Sequence, residues 1–355
     1  MEWSWRLLSP TLQRFLASLS VFRGGWSARA AATVCEEPEA QRLLEELVAN
    51  SLVVAEETPN GAMRFRLLEM IRSFMFERLP APRLTELQHS HGQFFQAWSA
   101  AQGSQWHLLP QEQENIQAAL LFAVETSDAE RALALLKPMR LLWSLRGGTE
   151  DNVTLLRQIL ALPGASTTQR CAGLIEAAAL LMTLTGGRDE ARAYIEEALT
   201  LATENAALEA AAIGVQVPLE WLRYSEYAEG SRKLEHALTL ARQAEVRETE
   251  ANLLNVSGIL ALRHDKNPTQ AETFYRQAEA LYEALGDSLH ANYVRLNRAN
   301  AALEAGDMPS ALEHYGHCRR ICQQLGDTMM EIDVANSTGV LLARQKLWKR
   351  RKHRF

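Results

Sequence analysis

Between Arg170 and Arg344 the chain repeats itself. Four segments align without gaps: Glu190–Ala202, Glu229–Ala241, Gln270–Tyr282 and Ser310–Cys322, with starts 39, 41 and 40 residues apart. A fixed period of this size marks stacked helical hairpins, each unable to bury its apolar face alone. The aligned columns make physical sense. Ala191, Gly230, Ala271 and Ala311 form one small-residue column, and Ala198, Ala237, Ala278 and Cys318 a second. Ile195, Leu234, Tyr275 and Tyr315 form a bulky column, and Leu201, Leu240, Leu281 and Ile321 another. Their intervals of three, four and seven put them on one helical stripe, where small residues admit a neighbouring helix and bulky ones fill the groove.

A partner helix precedes each segment, with its own small position at Ala179, Gly258, Ala299 and Gly339. The equivalent site in the second unit is Pro218, which is expected to kink or break that helix. Leu285-Gly286-Asp287 and Leu325-Gly326-Asp327 carry one stop signal: glycine ends a helix and aspartate starts the next. On these columns and the Ala…Tyr…Ala spacing of the second helix, the units resemble tetratricopeptide (TPR) repeats of the longer, 40-residue kind. HEAT and armadillo repeats share the length but not this pattern. After Gly339 the pattern predicts a second helix near residue 350, and the chain instead runs into Lys346–Phe355, with three Lys, three Arg and no acid.

Residues 1–80 read as three short helices and a β-hairpin. Ser9-Pro10 starts the first helix, Ser27 the second, and the third spans Glu39 to Asn50. Leu52-Val53-Val54 and Phe65-Arg66-Leu67 flank the turn signal Pro59-Asn60-Gly61. Three helices plus a hairpin wing is a winged helix. The segments Trp3–Leu8, Leu19–Trp26, Leu47–Val53 and Phe65–Arg72 resemble the winged helix of bacterial STAND regulators, the AfsR-like and LuxR/MalT-like predicted ATPases. In that family a helical linker follows, which Glu112–Leu120 resembles, and then TPR-like repeats. The resemblance implies that this chain corresponds to the C-terminal part of such a regulator, split off or started late, without the nucleotide-binding domain.

No G-x-x-x-x-G-K-[ST] loop, and no Gly-Lys pair, occurs in the sequence. Such a loop cradles phosphates on backbone N–H groups and reaches them with its lysine. The resemblance places a nucleotide-sensing histidine on the winged helix, and the matching slot here is Leu68. Neither ATP hydrolysis nor ATP sensing carries over. No Ser-His-Asp, Cys-His, paired-carboxylate or H-E-x-x-H arrangement stands out. The expectation is therefore no enzyme, no catalytic residue and no cofactor.

Charge narrows the partners. The net charge is −6, and without the six terminal cations it is −12. An acidic body is a poor match for phosphate. The would-be recognition helix, Glu39–Glu46, holds one Arg among its acids, and the wing adds Glu56 and Glu57. Base readout ordinarily uses Arg, Lys, Asn or Gln there. His314, His317, Cys318 and Cys322 share a helix face with zinc-like spacing, but both cysteines fall in small-residue packing columns, so no metal site is expected. The basic tail has two readings. Either it is an accident of truncation or frameshift, or a patch for nucleic acid or anionic lipid. On the first reading the last helix frays beyond Ala343 and its face with Val334, Val340, Leu341 and Leu342 is half uncovered, favouring end-to-end self-association. Four cysteines without a disulfide framework, no leader pattern and no apolar run of membrane length fit the cytoplasm.

The sequence thus predicts an all-α protein, a TPR-like solenoid preceded by a small winged-helix domain. Its divisions are 1–80 winged helix, 81–165 helical linker, 166–345 repeats and 346–355 basic tail. The expected function is a non-enzymatic scaffold that presents a groove to a protein or peptide. Tyr224, Asn255, Asn292, Asn297 and Asn300, on the first helices of the units, are the groove candidates. The alternative is a regulatory fragment of a transcription factor that acts with a separate ATPase or DNA-binding chain.

Overall fold

The computed structural model describes residues 2–58, 61–103, 105–146, 148–184, 186–220 and 227–352. The chain forms two compact units. The first comprises Met1–Gly103, Leu108–Met139 and Leu162–Gly164, and the second Ser104–His107, Arg140–Ala161 and Ala165–Phe355.

Serine caps begin the winged helix. After α1 (Glu2–Leu7), the Ser9 hydroxyl accepts a hydrogen bond from the Leu12 N–H at 3.3 Å and starts α2 (Pro10–Ser18), with Pro10 in its first turn. Ser27 caps α3 (Ala28–Val34) in the same way, and α4 (Ala40–Ala49) follows. Three strands, β1 (Gly25–Ser27), β2 (Val54–Glu57) and β3 (Met63–Arg66), pair antiparallel in the order β1-β3-β2. The expected hairpin is present, and its Pro59-Asn60 turn lies outside the described residues. β1 was not expected, because three residues show no alternation. Its Trp26 lies opposite Phe65, and both are buried with Leu12, Phe15, Leu16, Leu43, Leu44 and Leu47. α5 (Glu69–Phe76) closes the winged helix.

Next come α6 (Ala81–Ala101), a 3-10 stretch at Trp106–Glu112, α7 (Gln113–Glu125), α8 (Ala129–Arg146) and α9 (Glu150–Leu160). The repeats follow as hairpins. They are α10 (Thr167–Leu181) with α11 (Arg188–Leu201), α12 (Ala206–Glu220) with α13 (Tyr227–Gln243), α14 (Arg247–Arg263) with α15 (Pro268–Ala284), and α16 (Ser288–Glu304) with α17 (Met308–Leu325). Helix α18 (Thr328–Lys352) comes last. Pro218 stands inside α12, whose described residues run on to Glu220. The stop signals behave as read. Gly286 and Gly326 take the left-handed backbone, with φ of 72° and 69°, and Asp287 and Asp327 cap the next helices through the N–H groups of His290 and Met330.

The columns pack as the alignment requires, with one shift. Ala191, Ala271, Ala311, Ala198, Ala237, Ala278 and Cys318 are buried, as are Ile195, Leu234, Tyr275 and Tyr315. The column of Leu201, Leu240, Leu281 and Ile321 is only half-buried, and the neighbouring Ala202, Ala241, Tyr282 and Cys322 fill the core instead. Helix α18 continues to Lys352, past the expected fraying at Ala343. Val334 and Leu341 on it are buried, whereas Ile332, Val340 and Leu342 are exposed. Among the described residues, no helix is long and apolar enough to cross a membrane.

A Cβ placed on Gly258 would stand 2.4 Å from the buried Tyr275 ring, whereas one on Gly339 meets nothing within 4 Å. Gly258→Ala is therefore expected to destabilise the repeats by about 1–3 kcal/mol through overpacking. Gly339→Ala should stabilise α18 by about 0.5–1 kcal/mol through helix propensity. Urea unfolding followed by circular dichroism checks both signs.

Candidate partner-binding site

The winged helix is fastened to the helices after it by a buried polar knot centred on Asn115. Asn115, at the start of α7 and fully buried, accepts from the Arg23 N–H at 2.8 Å. It donates to the Gly25 carbonyl and to Glu112 Oε2, both at 2.8 Å. The buried His91 of α6 meets the same Asn115 oxygen at 3.2 Å. Arg64 of β3 bonds Glu112 Oε1, the Gly25 carbonyl at 2.8 Å and the Gln111 carbonyl at 3.0 Å. Phe22 stacks on Trp26 at 5.0 Å and meets Phe95 edge-on at 6.3 Å, so the polar knot lies beside aromatic core. Burial pushes the His91 imidazole down to about 4, opposed by the Asn115 bond.

The face that a winged helix would turn to DNA carries little free positive charge. Arg42, the one Arg of α4, bonds Glu39 at 2.6 Å and lies 3.4 Å from Glu46. Arg66 on the wing bonds Glu56 at 2.8 Å. At the head of α5, Leu68 and Met70 expose apolar side chains, 47% and 73% accessible.

In the repeats, the predicted groove residues that lie among the described residues separate into three groups. Asn255 of α14 and Asn297 of α16 are half-buried and meet each other, Asn297 Nδ2 donating to Asn255 Oδ1 at 2.8 Å across successive first helices. Asn300 accepts from the Tyr315 hydroxyl of its own hairpin at 2.6 Å. Asn292 is buried rather than groove-facing. Its amide donates to the Cys318 carbonyl at 3.2 Å and touches Met330 Sδ at 3.1 Å. The 3.6-residue period does not separate a buried amide from a surface one, and Asn292 sits where a packing residue belongs. Tyr224 lies outside the described residues.

A cavity of about 680 Å³ opens in the second unit, lined by Ser144, Leu145, Thr149, Leu184, His290 and Tyr293 among others. Sequence reasoning missed it, because its walls come from α8, the start of α9, the loop after α10, α16 and α18, and no single stretch shows them together. Beside it, His290 Nδ1 lies 2.7 Å from Asp287 Oδ2, and the Tyr293 hydroxyl donates to Asp327 Oδ2 at 3.0 Å. The cysteines of the considered metal motif are packing groups. Burial pushes Cys318 up to about 12 and Cys322 to about 11, leaving both as neutral thiols at pH 7.

A small winged helix followed by hairpin repeats defines the class of protein, and comparison with known proteins sharpens it. Residues 4–87 match the MalT winged helix domain. An HTH-type transcriptional regulator of Mycobacterium tuberculosis is 27% identical over 173 residues, which is 45% of this chain and 20% of that protein. A regulator of the same description from Mycobacterium bovis matches to the same extent. The chain therefore matches only about a fifth of the length of these relatives. In structure, it resembles the Signal Transduction ATPase with Numerous Domains (STAND) protein with a tetratricopeptide repeat sensor from Pyrococcus horikoshii. The TM-score is 0.52 at 14% identity, covering 93% of this chain and 53% of that one, a likeness of fold. The chain thus resembles the C-terminal part of a STAND, MalT-like regulator, as its sequence implied.

The His91 site generates a pH prediction. An unfolded chain takes up the imidazole proton near pH 6.5, whereas the folded chain excludes it until about pH 4. Between those values the unfolded state binds the extra proton, so stability falls as pH falls. The loss attributable to His91 is about 3 kcal/mol across that window. His91→Gln, which can keep the Asn115 bond without titrating, should flatten this part of the profile in urea unfolding at pH 7 and pH 4.5.

Proposed function

We propose that the chain is the signal-receiving part of a STAND-type transcriptional regulator and that its repeats bind a protein or peptide. The observation that carries this reading is the order of parts, a MalT-type winged helix followed by TPR-like hairpins. Such hairpins bind by presenting apolar anchors and adaptable amides along their first helices. Asn255 and Asn297 are the groove residues of choice, because they pair across two successive first helices. Their mutual hydrogen bond is exchangeable for bonds to a peptide backbone. Catalysis has no part in this reading, and no cofactor is assigned. Four buried free thiols suit the reducing cytoplasm.

A second reading is favoured by the winged helix itself. Its paired arginines leave docking on another domain as a better role than reading bases. On that account the chain acts with a separate ATPase or DNA-binding chain.

Two measurements test the proposal. The full chain should retain a discrete protein partner from its own cells, and Asn255→Asp with Asn297→Asp should reduce retention at least tenfold. Equal retention by the double variant would remove the groove from the account. Calorimetry should detect no micromolar ATP binding, since the sequence holds no G-x-x-x-x-G-K-[ST] loop and Leu68 stands in the slot of the nucleotide-sensing histidine. Micromolar binding would overturn the assignment of nucleotide chemistry to other chains.

A further inference from the structure

The 680 Å³ cavity lies wholly within the second unit, and its chemistry selects one kind of occupant. Leu145, Leu184, Leu289 and Met329 make part of its wall apolar, and Tyr293 stands among them. Glu150 and Asp333 place two exposed carboxylates on the same wall. The Glu150 side chain has one long contact, to Arg157 at 3.7 Å, and Asp333 has no hydrogen bond or ion pair among the described residues. Among those residues, Arg140 is the one lysine or arginine of the lining, and Glu176 already neutralises it. Two further carboxylates stand directly behind the wall, Asp287 beside His290 and Asp327 at the Tyr293 hydroxyl. Burial, and then the charge of Asp327, push that hydroxyl above its ordinary range, and Asp333 adds to the push.

A negative wall with apolar flanks repels carboxylates and phosphates and matches a cation carried on an apolar stem. An aromatic face at the same place adds to the attraction. Ser144 is a second sign of a ligand. It lines the cavity, and its hydroxyl oxygen is shut off from solvent with no hydrogen-bond partner among the described residues. Such an orphan is costly, and a donor brought in by an occupant relieves it.

We infer that the cavity receives a lysine or arginine side chain of the protein or peptide that the repeats bind. Two observations favour a peptide over a free cation. Tyr293 lies one turn before Asn297 on α16, about 6 Å along the helix, so a backbone held at Asn297 brings a neighbouring side chain to the cavity. The volume is also that of a site for a drug-sized ligand, larger than a lone amine fills. The stem of the basic residue packs on Leu145 and Met329, its charge meets Asp333 and Glu150, and Tyr293 offers its ring. This inference deepens the proposed function and rests on its reading of the groove, to which it adds the chemistry of the partner. Its test needs no partner and fails separately from that reading.

The test titrates the full chain, its methionine methyl groups labelled with carbon-13, with N-acetyl-arginine amide. The reporter is the methyl of Met329, exposed on the cavity wall. It should shift saturably, and N-acetyl-citrulline amide, which keeps the shape and loses the charge, should leave it in place. Asp333→Asn, at an exposed position where folding is not at stake, should weaken the arginine probe at least threefold. A Met329 methyl that stays still, an equal response to the citrulline probe, or undiminished binding by the variant would overturn the inference. Butylguanidinium is the same cation without peptide groups and should bind no tighter. Tenfold tighter binding of it would overturn the peptide in favour of a free cation. If the arginine probe fails while Asn255→Asp with Asn297→Asp still lowers partner retention, the groove stands and its basic specificity falls.

Discussion

Close approach of the two helices within each hairpin is the constraint on which the repeats depend. The buried Tyr275 ring lies against Gly258 with no room for a single added carbon. Where the small residue is alanine, at Ala299, the bulky partner is Tyr315, held at its hydroxyl by Asn300. Cavities and clashes in such interiors both cost free energy, because their packing density is that of a crystal. The small columns therefore set how near the helices come. That spacing in turn brings the capping loops into register, so that Asp327 receives Tyr293 from the hairpin before it.

The winged helix depends on polar groups where the repeats depend on shape. Asn115 satisfies a backbone donor and a backbone acceptor about 90 residues upstream, and Glu112 joins it to Arg64 on β3. Removing one member of such a network strands the others away from water, which costs more than the bond itself. On α4 and on the wing, by contrast, Arg42 and Arg66 are paired with the neighbouring Glu39 and Glu56.

Much of the fold was legible because repetition exposes packing. One hairpin offers an ambiguous stripe, but four aligned copies distinguish Ala198, Ala237, Ala278 and Cys318 as a buried packing column. The Leu-Gly-Asp stops were readable because a left-handed residue and a capping carboxylate leave local marks. Long-range polar contacts leave none. Nothing near Trp106 announces that its indole N–H donates to Asp287 Oδ2 at 3.0 Å, and nothing near Asn115 announces Gly25. Asn292 was misjudged for a related reason: a buried amide held by a carbonyl and a thioether looks, in sequence, like any surface asparagine. β1 was invisible because its three residues are strand only by virtue of Phe65 opposite.

The central claim is that the first helices of the repeats receive the signal, and site-specific photo-crosslinking in the producing cells tests it most directly. A benzophenone side chain at Asn297 should give one discrete cross-linked species. The same group at the exposed Gln277, on the second helix of the preceding hairpin, should give none. Equal cross-linking at both positions, or a species at Gln277 alone, would contradict the account.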